Sequence, residues 1–241
     1  MSEIIAVLSG KGGTGKTSVC AAVATALSAG EKVLCIDCDM GLRNLDISLG
    51  ISQLGALSFL EAEEYGLEKA TVHPDYPNLH FLTAPVNCSA AQVDPAKFHQ
   101  LLSRARELFA YIFLDAPAGI DDGFRLAARY ADRVVLVTGA DPAAVRDAGR
   151  AGEMLELMGK ENVRMIVNRI DPKMVAAMKL TVDDVMDQAG LPLLGIVPSD
   201  PNVTLAAAFG KPLLKHTKKG AAAACKRIAQ RIQGRRVPVK L

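Results

Sequence analysis

Short apolar runs rich in β-branched residues alternate along this chain with longer stretches whose apolar positions recur at helical spacing. The runs at residues 4–8, 32–36, 79–83, 111–114, 133–138, 163–168 and 193–197 predict strands. Between them, residues 16–29, 95–109, 122–130, 143–158, 182–189 and 217–233 predict helices. Asp94 ahead of Pro95 marks one helix start, with proline at the first helical position. Thr181 with Asp184 three residues on is a weaker form of the capping box. Strands alternating with helices signal βαβ units, and near-continuous apolarity in the central strands asks for cover on both faces. The expectation is an α/β, three-layer fold, a mostly parallel twisted sheet covered by helices on both faces. No internal repeat or low-complexity linker interrupts the pattern, so residues 1–233 are expected to form one domain, followed by a short basic tail at 234–241. Residues 41–66, punctuated by Gly41, Gly50, Gly55 and Gly66, are expected to be less regular.

Composition narrows the class. Half the residues are apolar and 22% are charged, ordinary for a chain that buries a sizeable core. There is no run of eighteen apolar residues to span a bilayer and no secretory leader pattern at the start. Five scattered cysteines, Cys20, Cys35, Cys38, Cys88 and Cys225, suit a reducing cytoplasm. Cys35-x-x-Cys38 has no second pair to complete a zinc site and lies at the end of an apolar run, so it reads as structural. The histidines form no ligand pattern.

The chemistry begins at Ser9-Gly10-Lys11-Gly12-Gly13-Thr14-Gly15-Lys16-Thr17, entered directly from the first apolar run. Gly10, Gly15, Lys16 and Thr17 satisfy G-x-x-x-x-G-K-[ST], a loop whose backbone N–H groups cradle phosphates. Glycines allow the tight turn and close approach, Lys16 supplies charge to the β- and γ-phosphates, and the Thr17 hydroxyl can ligate Mg²⁺. The following helix, opening through Ser18, adds its positive N-terminal end. Gly10, Gly12 and Gly15 also spell G-x-G-x-x-G, with Asp37 about where a dinucleotide-binding fold places its ribose acid. That reading leaves Lys16-Thr17, Asp39 and Asp115 without a purpose. Asp37 and Asp39 end the second predicted strand, beside the ligand crevice of an open α/β sheet. Tyr111-Ile112-Phe113-Leu114-Asp115 is four apolar residues ending in Asp, a Walker-B pattern whose carboxylate would hold Mg²⁺ opposite Thr17.

The run from Lys11 to Thr17 resembles the deviant P-loop of the ParA/MinD family of P-loop NTPases. Asp37-Cys38-Asp39-Met40-Gly41-Leu42-Arg43-Asn44-Leu45-Asp46 and Leu114-Asp115-Ala116-Pro117-Ala118-Gly119 resemble the two switches of its MinD branch. Val145-Arg146-Asp147, Val167-Asn168-Arg169, Gly195-Ile196-Val197-Pro198 and Gly210-Lys211-Pro212 continue the resemblance over about residues 3–233. It implies ATP and Mg²⁺ as ligands, with Gly12, Gly13, Thr14, Gly15, Lys16, Thr17 and Ser18 around the phosphates. It implies that Lys11 crosses a dimer interface to the partner's nucleotide, that Asp39 orients the attacking water beside the metal, and that Asp37 supports the Mg²⁺ site. Asn44 would belong to the nucleotide-sensing switch, Asn168 would hydrogen-bond adenine, and Pro198 and Asp200 would lie near the base. Asn168-Arg169-Ile170-Asp171 comes close to the N-K-x-D element of GTPases but lacks the lysine, and ATP follows from the resemblance alone.

The net charge of +2 hides a basic end. Ten Lys or Arg and no acid follow Pro201, leaving the preceding two hundred residues at −8. Relatives in the MinD branch finish in an amphipathic membrane helix; here Gly234 and Pro238 work against a continuous helix. Basic residues near an anionic leaflet still contribute roughly 1 kcal/mol each, so membrane adsorption is expected from the tail. The resemblance implies an ATP-dependent homodimer, a MinC-like inhibitor, a MinE-like activator and a cytoplasmic protein peripheral to the inner face of the cell membrane. The alternatives are a ParA-like or flagellar-number-type positioning ATPase acting on DNA or another cargo, and a nicotinamide-dependent oxidoreductase. No aromatic residues interleave the basic ones as a nucleic-acid surface would ask, which disfavours DNA.

Overall fold

The computed structural model describes residues 2–51 and 55–240; Met1 and Leu241 of the expected domain and tail, and residues 52–54 of the expected irregular segment, lie outside them. The chain runs β1 (Glu3–Leu8), α1 (Lys16–Leu27), β2 (Val33–Asp37), α2 (Leu45–Leu49), α3 (Phe59–Tyr65), β3 (Thr71–His73) and β4 (Tyr76–Leu82). It continues through α4 (Pro95–Leu108), β5 (Tyr111–Asp115), α5 (Asp122–Tyr130), β6 (Arg133–Thr138), α6 (Pro142–Leu157) and β7 (Val163–Ile170). The last elements are α7 (Pro172–Ala177), α8 (Val182–Ala189), β8 (Leu193–Pro198), α9 (Asn202–Ala208), α10 (Leu213–His216) and α11 (Gly220–Ile232).

The strands form one sheet in the order β3-β4-β2-β5-β1-β6-β7-β8, parallel throughout except for β3 against β4. β1 lies between β5 and β6, where the order reverses, so its carboxyl end opens into the ligand crevice of a doubly wound sheet.

Alternation along the strands builds the two faces. Ile4, Ala6 and Leu8 of β1, Leu34 and Ile36 of β2 and Val134 and Leu136 of β6 join the core under α3, α4, α5, α6 and α8. Ile5 and Val7, Val33 and Cys35, and Val135 and Val137 join the opposite core with α1 and α11. Side chains two apart share a face, so each strand feeds both layers. α1 carries Val19 to Ala24 as an unbroken buried run because it is covered on one side by the sheet and on others by α2 and α11. Small residues on α1 and α11 let the two helices approach closely around Ile228, which is fully buried. Truncating it to alanine would cost about 2–5 kcal/mol.

All seven expected strands and six expected helices are present, with shifted ends. β4 starts at Tyr76, three residues before the expected start, and α11 starts at Gly220 because Lys219 is still extended. The segment expected to be less regular holds two short helices, α2 and α3. These have five and seven residues, too short for an apolar period to show. A local signal did exist: Ser58 accepts from Glu61 N while Glu61 accepts from Ser58 N, a capping box that starts α3. The same pairing, Thr181 with Asp184, opens α8 as expected. Short β3, α7, α9 and α10 were likewise invisible to periodicity.

Residues 234–240 carry no helix and fold back along α11. Arg231 holds them: Nε donates to Val237 O at 3.0 Å and Nη2 to Pro238 O at 2.7 Å, while Nη1 reaches Leu194 O of β8 at 3.0 Å. Among the described residues no helix is long and apolar enough to cross a membrane.

Candidate nucleotide site

The loop between β1 and α1 wraps the carboxyl end of β1, and its glycines are set by contacts. Gly15 caps α1 with φ +84, and a Cβ there would collide with the Asn168 amide. A Cβ on Gly10 would run into the Asp147 carbonyl of α6. Gly12 and Gly13 face open space, with nothing within 4 Å of where a Cβ would stand.

Lys16 turns inward. Its Nζ lies 2.6 Å from Asp115 Oδ1 and 3.3 Å from Thr17 Oγ1, with side chains only 7% and 1% exposed for Lys16 and Asp115. Burial opposes the ammonium charge, but the Asp115 carboxylate outweighs it and raises the Lys16 pKa. Asp37 stands level with Asp115 on the neighbouring strand. Burial, then the Asp115 charge, push its carboxyl up to about 7 against hydrogen bonds that favour ionisation. Those bonds come from Asp39 N at 2.9 Å and Leu45 N at 3.2 Å, so Asp37 ties both ends of the β2–α2 loop to the sheet. Asp39 itself is turned onto that loop, accepting at Oδ1 from Gly41 N at 3.2 Å and Leu42 N at 3.1 Å. Asn44 is exposed at the start of α2 and does not cap it with its side chain.

Lys11 turns outward, its Nζ 3.1 Å from Asp141 Oδ1. It lines a second cleft with Gly12, Gly13, Asp141, Met174 and Met178.

A cleft of about 450 Å³ runs from the loop along β7 and β8, lined among others by Gly15, Ser18, Asn168, Arg169, Pro198 and Asp200. Asn168 is buried and donates from Nδ2 to Thr14 O at 2.8 Å, stitching β7 to the loop. Both Asp200 oxygens are engaged in structure, Oδ1 with Asn202 and Oδ2 with Ala221 N at 2.9 Å, and Asp200 thereby anchors the start of α11. Burial raises its pKa, but these hydrogen bonds prevail and the net shift is downward.

These residues fit a nucleotide with Mg²⁺. Among the described residues the buried Ser9 and Thr14 hydroxyls have no hydrogen-bond partner, and Gly12 and Gly13 of the same loop are open. Thr17, Asp37, Asp39 and Asp115 offer only oxygens, as Mg²⁺ prefers. Among the described residues no three acidic, His or Cys side chains form a ready-made cage. Mg²⁺ usually draws the rest of its shell from phosphates and water. The cysteines stay out of this chemistry: burial pushes the Cys20, Cys35 and Cys38 thiols up and that of Cys225 to about 12.

Residues 5–213 match the CobQ/CobB/MinD/ParA nucleotide binding domain. The septum site-determining protein MinD of Synechocystis is 38% identical over 244 residues, covering 99% of this chain and 92% of that protein. The chain belongs to the MinD family. Bacillus subtilis MinD is 33% identical, covering 100% of this chain and 92% of its own. The structure of the MinC:MinD cell division protein complex from Aquifex aeolicus superposes with a TM-score of 0.90 at 33% identity, covering 100% and 99% of the two chains. MinD complexed with Mg-ADP from Pyrococcus horikoshii gives 0.84 at 27% identity, covering 96% of each. MinD proteins are P-loop ATPases of the ParA class, tied to placement of the division septum, and the three-layer fold expected from the sequence is theirs.

Two residues at the site escaped the sequence reading. Asp141 shows only a helix-start signal, Asp before Pro142, and nothing local says that it meets Lys11. Arg169 was visible inside the Asn168–Asp171 near-match, without a role.

Proposed function

We propose that this MinD-family chain is an ATP-driven switch that hydrolyses ATP to ADP and phosphate, dimerises with ATP and acts in septum placement with a MinC-like inhibitor. The observation that carries the reading is the opposed placement of the two loop lysines. Lys16 is buried on Asp115 within the site, while Lys11 stands half-exposed on the outer rim. One lysine serves its own nucleotide; the other is available to a second copy.

The base contact centres on Asn168. One Nδ2 hydrogen is committed to the Thr14 carbonyl, which leaves the second hydrogen and Oδ1 for a ligand. That donor and acceptor together suit the edge of adenine, whose amine donates and whose ring nitrogen accepts, and the choice of adenine over guanine rests on the family. The loop N–H groups and the N-terminus of α1 hold the phosphates, and Lys16 passes its charge from Asp115 to the β- and γ-phosphates. Thr17 and Asp115 would hold Mg²⁺, with Asp37 and Asp39 alongside, and the ion would neutralise charge developing between the β- and γ-phosphates. Asp39 orients the attacking water. Because the Asp39 carboxylate also accepts from Gly41 and Leu42, its position and the conformation of the β2–α2 loop change together. Lys11 of a second copy adds the positive charge that favours the transition state. Hydrolysis is slow and a MinE-like activator accelerates it.

The similarity to an Aquifex MinD held in a MinC:MinD complex supports the inhibitor partner. The basic residues after Pro201 support peripheral attachment of a cytoplasmic protein to an anionic membrane surface. Light scattering with ATP or ADP plus Mg²⁺, with and without anionic liposomes, tests the proposal. An ATP-only dimer that sediments with liposomes is expected. An ATP-only dimer that ignores liposomes would move the anchor to a partner or to DNA, and the absence of any ATP-dependent dimer would overturn the switch.

A further inference from the structure

Asn168 and Arg169 stand together opposite the single residue Val197. Val167 pairs with Ile196 and Ile170 with Pro198, so β7 carries one extra residue at this point. Such a bulge re-aims side chains and is common beside active sites. The extra residue takes the left-handed conformation: Arg169 has φ +58, a region in which a non-glycine residue is strained. Arg169 is nevertheless an exposed guanidinium with no hydrogen bond or ion pair among the described residues. Asp141, an acid on the same outer cleft, is already engaged by Lys11. Neither packing nor a counter-ion explains the strained backbone.

Its surroundings do. Arg169, like Asn168, lines both the base cleft and the outer cleft beside Lys11, so the two residues stand between them. The Arg169 Nε lies 3.6 Å from the point a Cβ on Gly15 would occupy, the point the Asn168 amide also overhangs. Asn168 has Oδ1 and one Nδ2 hydrogen left to offer the edge of a base. The next residue, set on the bulge, lines the same cleft as that amide. A guanidinium is planar, weakly hydrated and able to stack on an aromatic face.

We infer that Arg169 covers the face of the nucleotide base, stacking its guanidinium on the ring whose edge Asn168 reads. This rests on the reading of the cleft as a nucleotide site. Arg169 is on this account a binding residue for the base, and the bulge is the device that delivers it.

Arg169→Gly tests this without threatening the fold, because glycine accepts the left-handed backbone. Binding of ADP and, by competition, of inorganic pyrophosphate is measured for the wild type and for the variant, together with melting temperature. The expected result is a melting temperature held or raised, ADP weakened about fivefold, and pyrophosphate changed by less than about twofold. Equal weakening of ADP and pyrophosphate would place the guanidinium on the phosphates and overturn the assignment. Unchanged ADP affinity would overturn it as well. A wild-type chain that binds neither ligand would sink the nucleotide reading itself, which separates the two failures. Arg169→Lys adds a control: it keeps the charge and loses the plane, so it should weaken ADP nearly as much.

Discussion

Lys11 Nζ lies 3.1 Å from Asp141 Oδ1, which ties the outer lysine of the phosphate loop to the N-terminus of α6 in its own chain. The same oxygen accepts from Ala144 N at 3.1 Å, so it serves the helix cap and the lysine together. The two side chains are 43% and 54% exposed, and a pair so open to solvent contributes about 0–1 kcal/mol. Such a contact parks the lysine without locking it, and a polyphosphate on a second copy can displace the carboxylate.

Asp141→Asn keeps a good helix cap and removes the competing charge. The ATP concentration at half-maximal dimerisation is expected to fall, by up to about fivefold. Light scattering against ATP measures it, and an unchanged midpoint would deny the pair any part in dimerisation. Lys11→Ala should keep ADP affinity and lose the ATP dimer.

Lys16→Ala removes the ammonium from a carboxylate that is 1% exposed. Leaving a buried charge unpaired costs about 3 kcal/mol or more, tempered if Asp115 takes up a proton. Urea unfolding should show that loss, and ADP binding by calorimetry should vanish. A fully stable variant that still bound ADP would contradict the pairing of Lys16 with Asp115 as the centre of the site.

Asp39→Asn keeps an oxygen for the Gly41 and Leu42 N–H groups while removing the charge that orients water. Turnover should fall about a hundredfold or more with ATP still bound, and the dimer should persist. Phosphate release and light scattering on one sample read both outcomes.

His73 links the edge hairpin to the end of α2. It is 1% exposed, its Nδ1 accepts from Asp75 N at 3.0 Å and its Nε2 lies 2.9 Å from Leu49 O. With Nδ1 accepting, Nε2 carries the proton and donates to Leu49. Burial holds its pKa below the ordinary 6.5, with Lys215 adding to the shift and Leu49 and Asp75 opposing it. The folded chain therefore binds fewer protons than the unfolded one as pH falls below about 6.5. Stability is complete above that value and declines as pH falls through the lower folded pKa. Melting temperatures between pH 7.5 and 5 should show this decline, and His73→Gln should remove the part that belongs to this residue. Parallel curves for the two proteins would contradict it.

Much of this molecule is legible one stretch at a time. The alternating runs that became β1, β5 and β6 place apolar side chains on both faces of a sheet, and that pattern alone calls for two helical layers. The phosphate loop, the acids ending β2 and β5 and the Asp94–Pro95 helix start are equally local. Their chemistry follows from residue type and spacing. α2, α3, α7, α9 and α10 were missed because a helix of two turns or fewer shows too little period, and it holds its shape through neighbours rather than through its own sequence.

What the sequence determined by itself was the set of strands, the loop that cradles phosphate and the acids beside it, because these depend on backbone preferences and on neighbours a few positions away. Tertiary structure alone decided the strand order, the turning of Lys16 inward and Lys11 outward, and the meeting of Asn168 with Thr14 across 154 residues. It also decided that the tail folds back on Arg231 and that Arg169 stands on a bulge. Those contacts join distant parts of the chain, and their geometry exists only once packing of the two layers has brought the strands into register.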